Sequence, residues 1–187
     1  VGSEMCIRDS NVEGGRMGTR RLTGLGHRGV AMINVAENKD YTTDRLAGYQ
    51  QALEEAGIPF REELVVYAEN SVAGGAAAAK SLLARGGFSA VFCATDTMAV
   101  GAVSALAEAG LRVPQDISIV GFDGLGYQNL VSPRLTSVQQ PIFEIGKMLA
   151  SELLERLSGR GGKLSRLVPP VMYEGGSTAP PSGAVLE

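Results

Sequence analysis

The sequence predicts an α/β fold, a doubly wound parallel sheet with helices on both faces. Three observations carry that expectation. From residue 30 onward, apolar runs alternate strictly with longer amphipathic stretches. The runs are short and apolar throughout, as strands are when both faces are covered. The amphipathic stretches also share a stop signal: ALEEAGIP (52–59) and ALAEAGLRVP (105–114) each end in Gly, an apolar residue and then Pro. Gly57 and Gly110 can take the left-handed conformation that closes a helix, and the proline prevents its resumption.

In chain order, VAMINV (30–35) is the first strand. An irregular polar loop, AENKDYTTD (36–44), follows it and leads into a helical pattern over DRLAGYQQALEEAG (44–57). ELVVYA (63–68) is the next strand, and SVAGGAAAAKSLLARGG (71–87) the next helix, with Ser71 placed to cap it. SAVFCA (89–94), TDTMAVGAVSALAEAG (95–110) and DISIVGF (116–122) continue the alternation. After Phe122 the chain is irregular until LTSVQQ (135–140), a short strand. Pro141 suits the first position of a helix that runs to Leu157 with Ile142, Ile145, Leu149 and Leu153 on one stripe. SGRGGKLSR (158–166) reads as a solvated basic loop, LVPPVMY as a last apolar piece, and the Gly/Ser/Pro tail as loosely held.

Composition narrows the function. A net charge of −3 gives no broad cationic field for nucleic acid, and no apolar run approaches a membrane span. Two cysteines, Cys6 and Cys93, exclude a disulfide framework and fit a reducing, cytoplasmic setting. The chain has one histidine and no GxSxG, Cys–His pairing or flanking carboxylate pair, so the usual general base is nearly absent and no enzyme is expected. No metal or cofactor is called for.

The opening VGSEMCIRDS has neither strand nor helical period and is too charged for a secretory signal. Back-translated, it matches a transposon-end sequencing adapter, so residues 1–10 are expected to be an artefact and the native chain to begin near Asn11. GLGHRG (24–29) spells GxGxxG, but it precedes a strand rather than following one. It therefore reads as a helix stop and turn, with His27 structural. Arg16, Arg20 and Arg21 form a basic helical face that reads as solvated.

In a doubly wound sheet, ligands bind beyond the carboxyl ends of the strands. Three strand ends carry polar groups there: the segment from Lys39 through Tyr41 to Arg45, then Thr95 and Asp96, then Asp123. Each has a structural alternative, with Thr95 or Asp96 as a helix cap, Arg45 paired with Asp44, and Asp123 in a turn. Taken together they suit a small ligand with neighbouring hydroxyls or polar ring edges, because Arg offers a fork of donors and Asp two acceptor oxygens.

DRLAGY (44–49), ATDTMAVGA (94–102), GLRVPQDISIVGFDG (110–124) and LTSVQQP (135–141), flanked by NVEGG…GHRGVAMI and GGSTAPP, resemble the lactose-repressor/purine-repressor family of bacterial transcription regulators. The resemblance implies a periplasmic-binding-protein-like (type I) core with one lobe nearly complete and the other truncated. Residues 11–26 would be a remnant of the first lobe, 27–137 the second effector-binding lobe, 138–168 a return to the first, and 169–187 a terminal segment. Arg45, Asp123 and Thr95 then match effector-contacting positions, and the effector is expected to be a sugar or sugar phosphate. The helix begun at Asp96, with its small Ala99, Gly101, Ala102 and Ala105, resembles one used in a homodimer through lobe two. Operator DNA would be bound only by an N-terminal head that this chain lacks. Gly175 stands where many members carry Arg, which implies a differently packed end. The competing function is a transporter's periplasmic sugar-binding protein. The RVPQDISIVGFD and LTSVQQP wording and the free Cys93 favour the regulator.

Overall fold

The computed structural model describes residues 2–37, 39–158 and 168–182. Its strands are β1 (Val30–Val35), β2 (Val65–Ala68), β3 (Ala90–Cys93), β4 (Ser118–Asp123), β5 (Thr136–Gln139) and β6 (Val171–Tyr173). They form one sheet in the order β2-β1-β3-β4-β5-β6, with β1 to β5 mutually parallel and β6 antiparallel to β5. The helices are α1 (Gly2–Gly24), α2 (Asp40–Glu55), α3 (Val72–Arg85), α4 (Asp96–Glu108) and α5 (Ile142–Leu157). The chain leaves β1 for β2 on one side and returns to β3 on the other, so the topological switch falls between β1 and β3.

Period-two alternation sorts the strands between two cores. Ala31, Ile33, Val35, Val91, Cys93 and Ile119 face α3 and α4, where they meet Ala78, Leu82, Met98 and Leu106. Val30, Met32, Ala90, Phe92, Val120 and Phe122 face α1 and α2, where they meet Leu22, Tyr49 and Leu53. The expected stop signals hold. Gly57 and Gly110 have φ of 61° and 76°, and the following amides reach back to Leu53 O and Leu106 O, each at 2.9 Å. Ser71 Oγ accepts the Gly74 amide at 2.9 Å as the cap of α3.

Several expectations are corrected. α2 begins at Asp40 rather than Asp44, so Tyr41 to Asp44 are helical and not loop. The buried Asn34 side chain donates to Thr42 O at 3.1 Å, and Thr42 Oγ1 donates to Lys39 O at 2.7 Å, which together secure that extra turn to β1. α1 begins at Gly2, so the stretch expected to lack period is helical. α5 begins one residue after Pro141, whose carbonyl accepts the Ile145 amide at 3.0 Å.

Residues 11–26 are expected as a remnant of the first lobe. They lie in the layer of α2, over the same sheet. Glycine makes this possible. A Cβ at Gly14 would overlap Phe122, one at Gly18 would overlap Phe92, and one at Gly48 would overlap Val12 O. The small residues of α4 are likewise spent inside the fold: a Cβ at Gly101 would overlap Val72 O, and one at Gly75 would overlap Met98 O, so α3 and α4 meet at backbone distance.

Within the terminal segment, residues 175–179 are tied to the sheet. Ser177 is fully buried, with its Oγ donating to Ile119 O at 2.6 Å and accepting the Thr136 amide at 2.8 Å. Ala179 exchanges bonds with Ser118 Oγ at 3.0 Å. Gly175 lies directly against the Arg134–Leu135 backbone, where no side chain fits, which accounts for glycine there. The basic loop 158–166 falls outside the described residues from 159 on. α5, in contrast, exposes its apolar stripe: Phe143 is 79% and Leu157 76% accessible, and Leu149, Leu153 and Leu154 are also exposed.

Two outcomes follow from this packing. Gly48→Ala should lower the unfolding free energy by about 1–3 kcal/mol, the usual cost of overfilling a packed interface, as read by urea denaturation. In hydrogen exchange, amides of α5 should exchange well before those of Ile119 to Phe122, because little of that helix is covered.

Candidate functional site

The polar residues at the carboxyl ends of β1, β3 and β4 converge on Arg45. α2 places this residue behind the switch point, and it is 4% exposed. Its Nε donates to Asn11 Oδ1 at 3.0 Å and its Nη1 to Ala94 O, just beyond β3. Nη2 lies 3.4 Å from Asp123 Oδ1. The guanidinium stacks 3.6 Å from the centroid of the Phe122 ring, and Tyr41 lies 5.0 Å away. Among the described residues Arg45 forms a salt bridge with Asp123, 78 residues away along the chain.

Asp123 ends β4 with φ of 119°, the one positive-φ residue other than glycine among those described. Such a conformation costs about 1–3 kcal/mol and persists only where surroundings hold it. Gln140 supplies part of that hold, with its amide donating to Asp123 O at 3.2 Å and its Nε2 to Asp123 Oδ1 at 3.3 Å. The Asp123 side chain is 22% exposed, whereas that of Arg45 is 5% exposed. The carboxylate thus faces the crevice and the guanidinium backs it. Burial disfavours charge on both partners: it lowers the Arg45 pKa against the opposing pull of Asp123, and raises that of Asp123 against the pull of Arg45.

Thr95 and Asp96 are held by hydrogen bonds beside this pair. Thr95 caps α4, accepting the Met98 amide at 3.3 Å and donating to Asn70 Oδ1 at 2.8 Å. Asp96 is fully buried. Its Oδ1 accepts from Ser137 Oγ at 2.7 Å and its Oδ2 from the Gly124 amide at 2.9 Å. Burial pushes its pKa up to about 6, partly offset by these two donors. Lys39 is exposed and paired with Glu37, so it does not join the Arg45 group. Of the expected residues, the fold therefore brings Arg45, Asp123 and Tyr41 together, sets Thr95 and Asp96 beneath them, and leaves Lys39 outside.

Sequence reasoning missed Asn11, Phe122, Ser137 and Gln140. Phe122 and Gln140 adjoin or lie within the motif runs GFDG and LTSVQQ, so those runs held a signal. Asn11 opens the flanking NVEGG run, but only the α1–α2 contact brings it to Arg45. His27 is structural, as expected. It is buried at the opposite edge of the sheet, with Nδ1 2.8 Å from Ser89 Oγ and Nε2 2.9 Å from Ala179 O. Arg16, Arg20 and Arg21 are paired with Glu13, Glu55 and Glu174. Among the described residues, no group of three or more His, Cys, Asp or Glu could hold a metal ion, and no helix is long and apolar enough to cross a membrane.

Because the folded chain holds the Asp96 proton more tightly than the unfolded chain does, its contribution to stability is present at low pH. That contribution is lost as pH rises through about 6. The stability of the native chain relative to Asp96→Asn should therefore fall by roughly 1–1.5 kcal/mol from about pH 5 to about pH 7.5. Paired urea titrations at the two pH values check this. His27 titrates alike in both proteins and cancels.

The family model described as the periplasmic binding protein-like domain matches residues 19–178. The chain is 36% identical over 163 residues to the ribose operon repressor of Haemophilus influenzae, covering 87% of this chain and 49% of that one. It is 38% identical over 159 residues to the HTH-type transcriptional regulator CelR of Thermobifida fusca, covering 84% and 47%. The chain thus spans about half the length of the regulators it matches. Among solved structures, the Escherichia coli transcriptional repressor ascG superposes with a TM-score of 0.86 at 29% identity, covering 91% of this chain and 62% of that one. A LacI family regulator from Enterococcus faecium with bound ribose gives 0.84 at 30% identity, covering 91% and 64%. The CelR–cellobiose complex gives 0.82 at 35%, covering 90% and 52%. The strand order, the Arg45–Asp123 pair at its switch point and the family match agree, and the chain belongs to the periplasmic binding protein-like domain family.

Proposed function

We propose that the chain is the effector-sensing core of a bacterial, cytoplasmic transcription regulator, and that it acts in binding rather than catalysis. The observation that carries this reading is the Arg45–Asp123 pair at the switch point between β1 and β3, buried behind and open in front. A ligand hydroxyl reaching the Asp123 carboxylate would meet an acceptor already oriented by Arg45 and Gln140. A sugar or sugar phosphate suits that chemistry, and relatives are described in complex with cellobiose and ribose. The transporter reading is not favoured, since the matched relatives are named as repressors and regulators.

Operator DNA would be bound by a head domain in the part of the relatives that this chain does not span. The exposed stripe of α5 fits a surface that the rest of a first lobe would cover. For a second copy, the available surface is not the row of small residues on α4, which is used against α3. It is the rim formed by Val72, Leu125, Tyr127 and Leu130, all exposed around that helix. A groove of about 410 Å³ lined by Val103, Leu111, Val113 and Ser132 also borders α4.

Calorimetric titration of the protein carrying both lobes with a panel of pentoses, hexoses, disaccharides and sugar phosphates tests the effector reading. Asp123→Asn should weaken the bound sugar about tenfold to a hundredfold, the worth of a hydrogen bond to a charged group. Arg45→Ala should do more than lose binding. It would leave Asp123 and the Ala94 carbonyl without their buried partner, so it should cost about 3–5 kcal/mol of stability. If no member of the panel binds, the reading of a sugar effector is rejected.

A further inference from the structure

We propose that Asp96 is a positioning residue of this site: its carboxylate holds the Asp123–Gly124 corner in the conformation that aims Asp123 at Arg45, and ties that corner to β5. The proposal rests on the reading of the crevice as a ligand site and assigns Asp96 a part in it without ligand contact.

The geometry begins with a carboxylate that water does not reach. It sits at the first residue of α4 yet does not cap that helix, because Thr95 does so. Both oxygens are turned instead toward the neighbouring strands. One accepts from Ser137 Oγ on β5, the other from the amide that follows Asp123. The carboxylate also lies directly over β4 at Gly121, where an added Cβ would overlap it, so the strand is bare at the point where Asp96 crosses it. The residue pinned by the Gly124 bond is the one whose φ of 119° needs holding. An aspartate there without an anchor would relax toward ordinary extended backbone, turning its carboxylate away from Arg45. Ser137 and Gln140 bracket the end of β5, so the anchor and the Gln140 bonds to Asp123 join the ligand corner to the strand that enters α5. A burial cost for an anion is tolerated where both oxygens are satisfied and a specific conformation results.

The test uses the 187-residue chain and nuclear magnetic resonance, which needs no ligand. In Asp96→Ala the Gly124 amide should exchange about tenfold to a hundredfold faster. The Arg45 Nε–H signal should also move as the Asp123 pairing is lost, with protection of Phe92 and Ile119 unchanged. Asp96→Asn, which can still accept from Gly124 and donate to Ser137, should restore both signals. Ser137→Ala, a smaller cut that leaves the fold intact, should raise Gly124 exchange partway. Unchanged Gly124 exchange and an unmoved Arg45 signal in Asp96→Ala overturn the proposal. So does a loss of protection shared equally by Phe92 and Ile119, which would make the role one of general stability. If Asp96→Ala does not fold, an unaltered Gly124 amide in Ser137→Ala overturns it. A parallel titration of the protein carrying both lobes with cellobiose and D-ribose separates the two readings. Failure of either sugar to bind the native protein counts against those ligands and leaves the resonance result standing. Equal binding by native protein and Asp96→Ala, despite a released corner, overturns the positioning role.

Discussion

A buried guanidinium organises this molecule. Arg45 cannot shed its charge, and at 4% exposure it cannot hand its donors to water. Each must find a protein acceptor, and the acceptors come from four places: Asn11 on α1, the Ala94 carbonyl beyond β3, Asp123 at the end of β4, and the ring faces of Phe122 and Tyr41. Asn11, Ala94 and the Phe122–Asp123 end of β4 are far apart in sequence, and satisfying one side chain fixes them relative to one another. The crevice is in this sense a by-product of neutralising a charge. Asp123 is held in a costly backbone conformation because it is needed opposite that charge.

The close layering that lets Arg45 sit so deep depends on missing side chains. Gly15 places α1 against the Arg45 carbonyl itself, while Gly14 and Gly18 let the same helix settle on Phe122 and Phe92. Across the sheet, Gly75 and Gly101 bring α3 and α4 together in the same manner. Glycine lowers helix stability by roughly 1 kcal/mol per residue. Its presence at these contacts makes sense because the burial it permits involves whole side chains such as Phe92 and Phe122, each worth more than that.

The two edges of the sheet are put to different use. At the amino ends of the strands, the segment around Ser177 and Ala179 bonds to Ser118, Ile119 and Thr136, and His27 joins it to Ser89. Among the described residues that edge is closed by neutral hydrogen bonds. At the carboxyl ends the groups are charged, one of them is open to solvent, and the backbone is strained. A rigid closed edge beneath a polar open one is a sound basis for binding, since the open groups are held in place before a ligand arrives.

Much of this could be read from residue order alone. Strand and helix alternation, the glycine stops at Gly57 and Gly110, the Ser71 cap and the structural character of His27 depend on local chemistry, so a local pattern was enough. The prominence of Arg45 and Asp123 came from their place at strand ends, which periodicity also locates. Packing had to settle what depends on contacts between distant segments. The membership of α1 in the α2 layer, the extra turn of α2 held by Asn34, the tight Ser177 strap and the bonds that tie Asp96 to Ser137 and Thr95 to Asn70 are all of this kind. A polar residue at a strand end looks the same in sequence whether its oxygen atoms face a ligand or a neighbouring strand, and only the neighbours across the sheet distinguish the two.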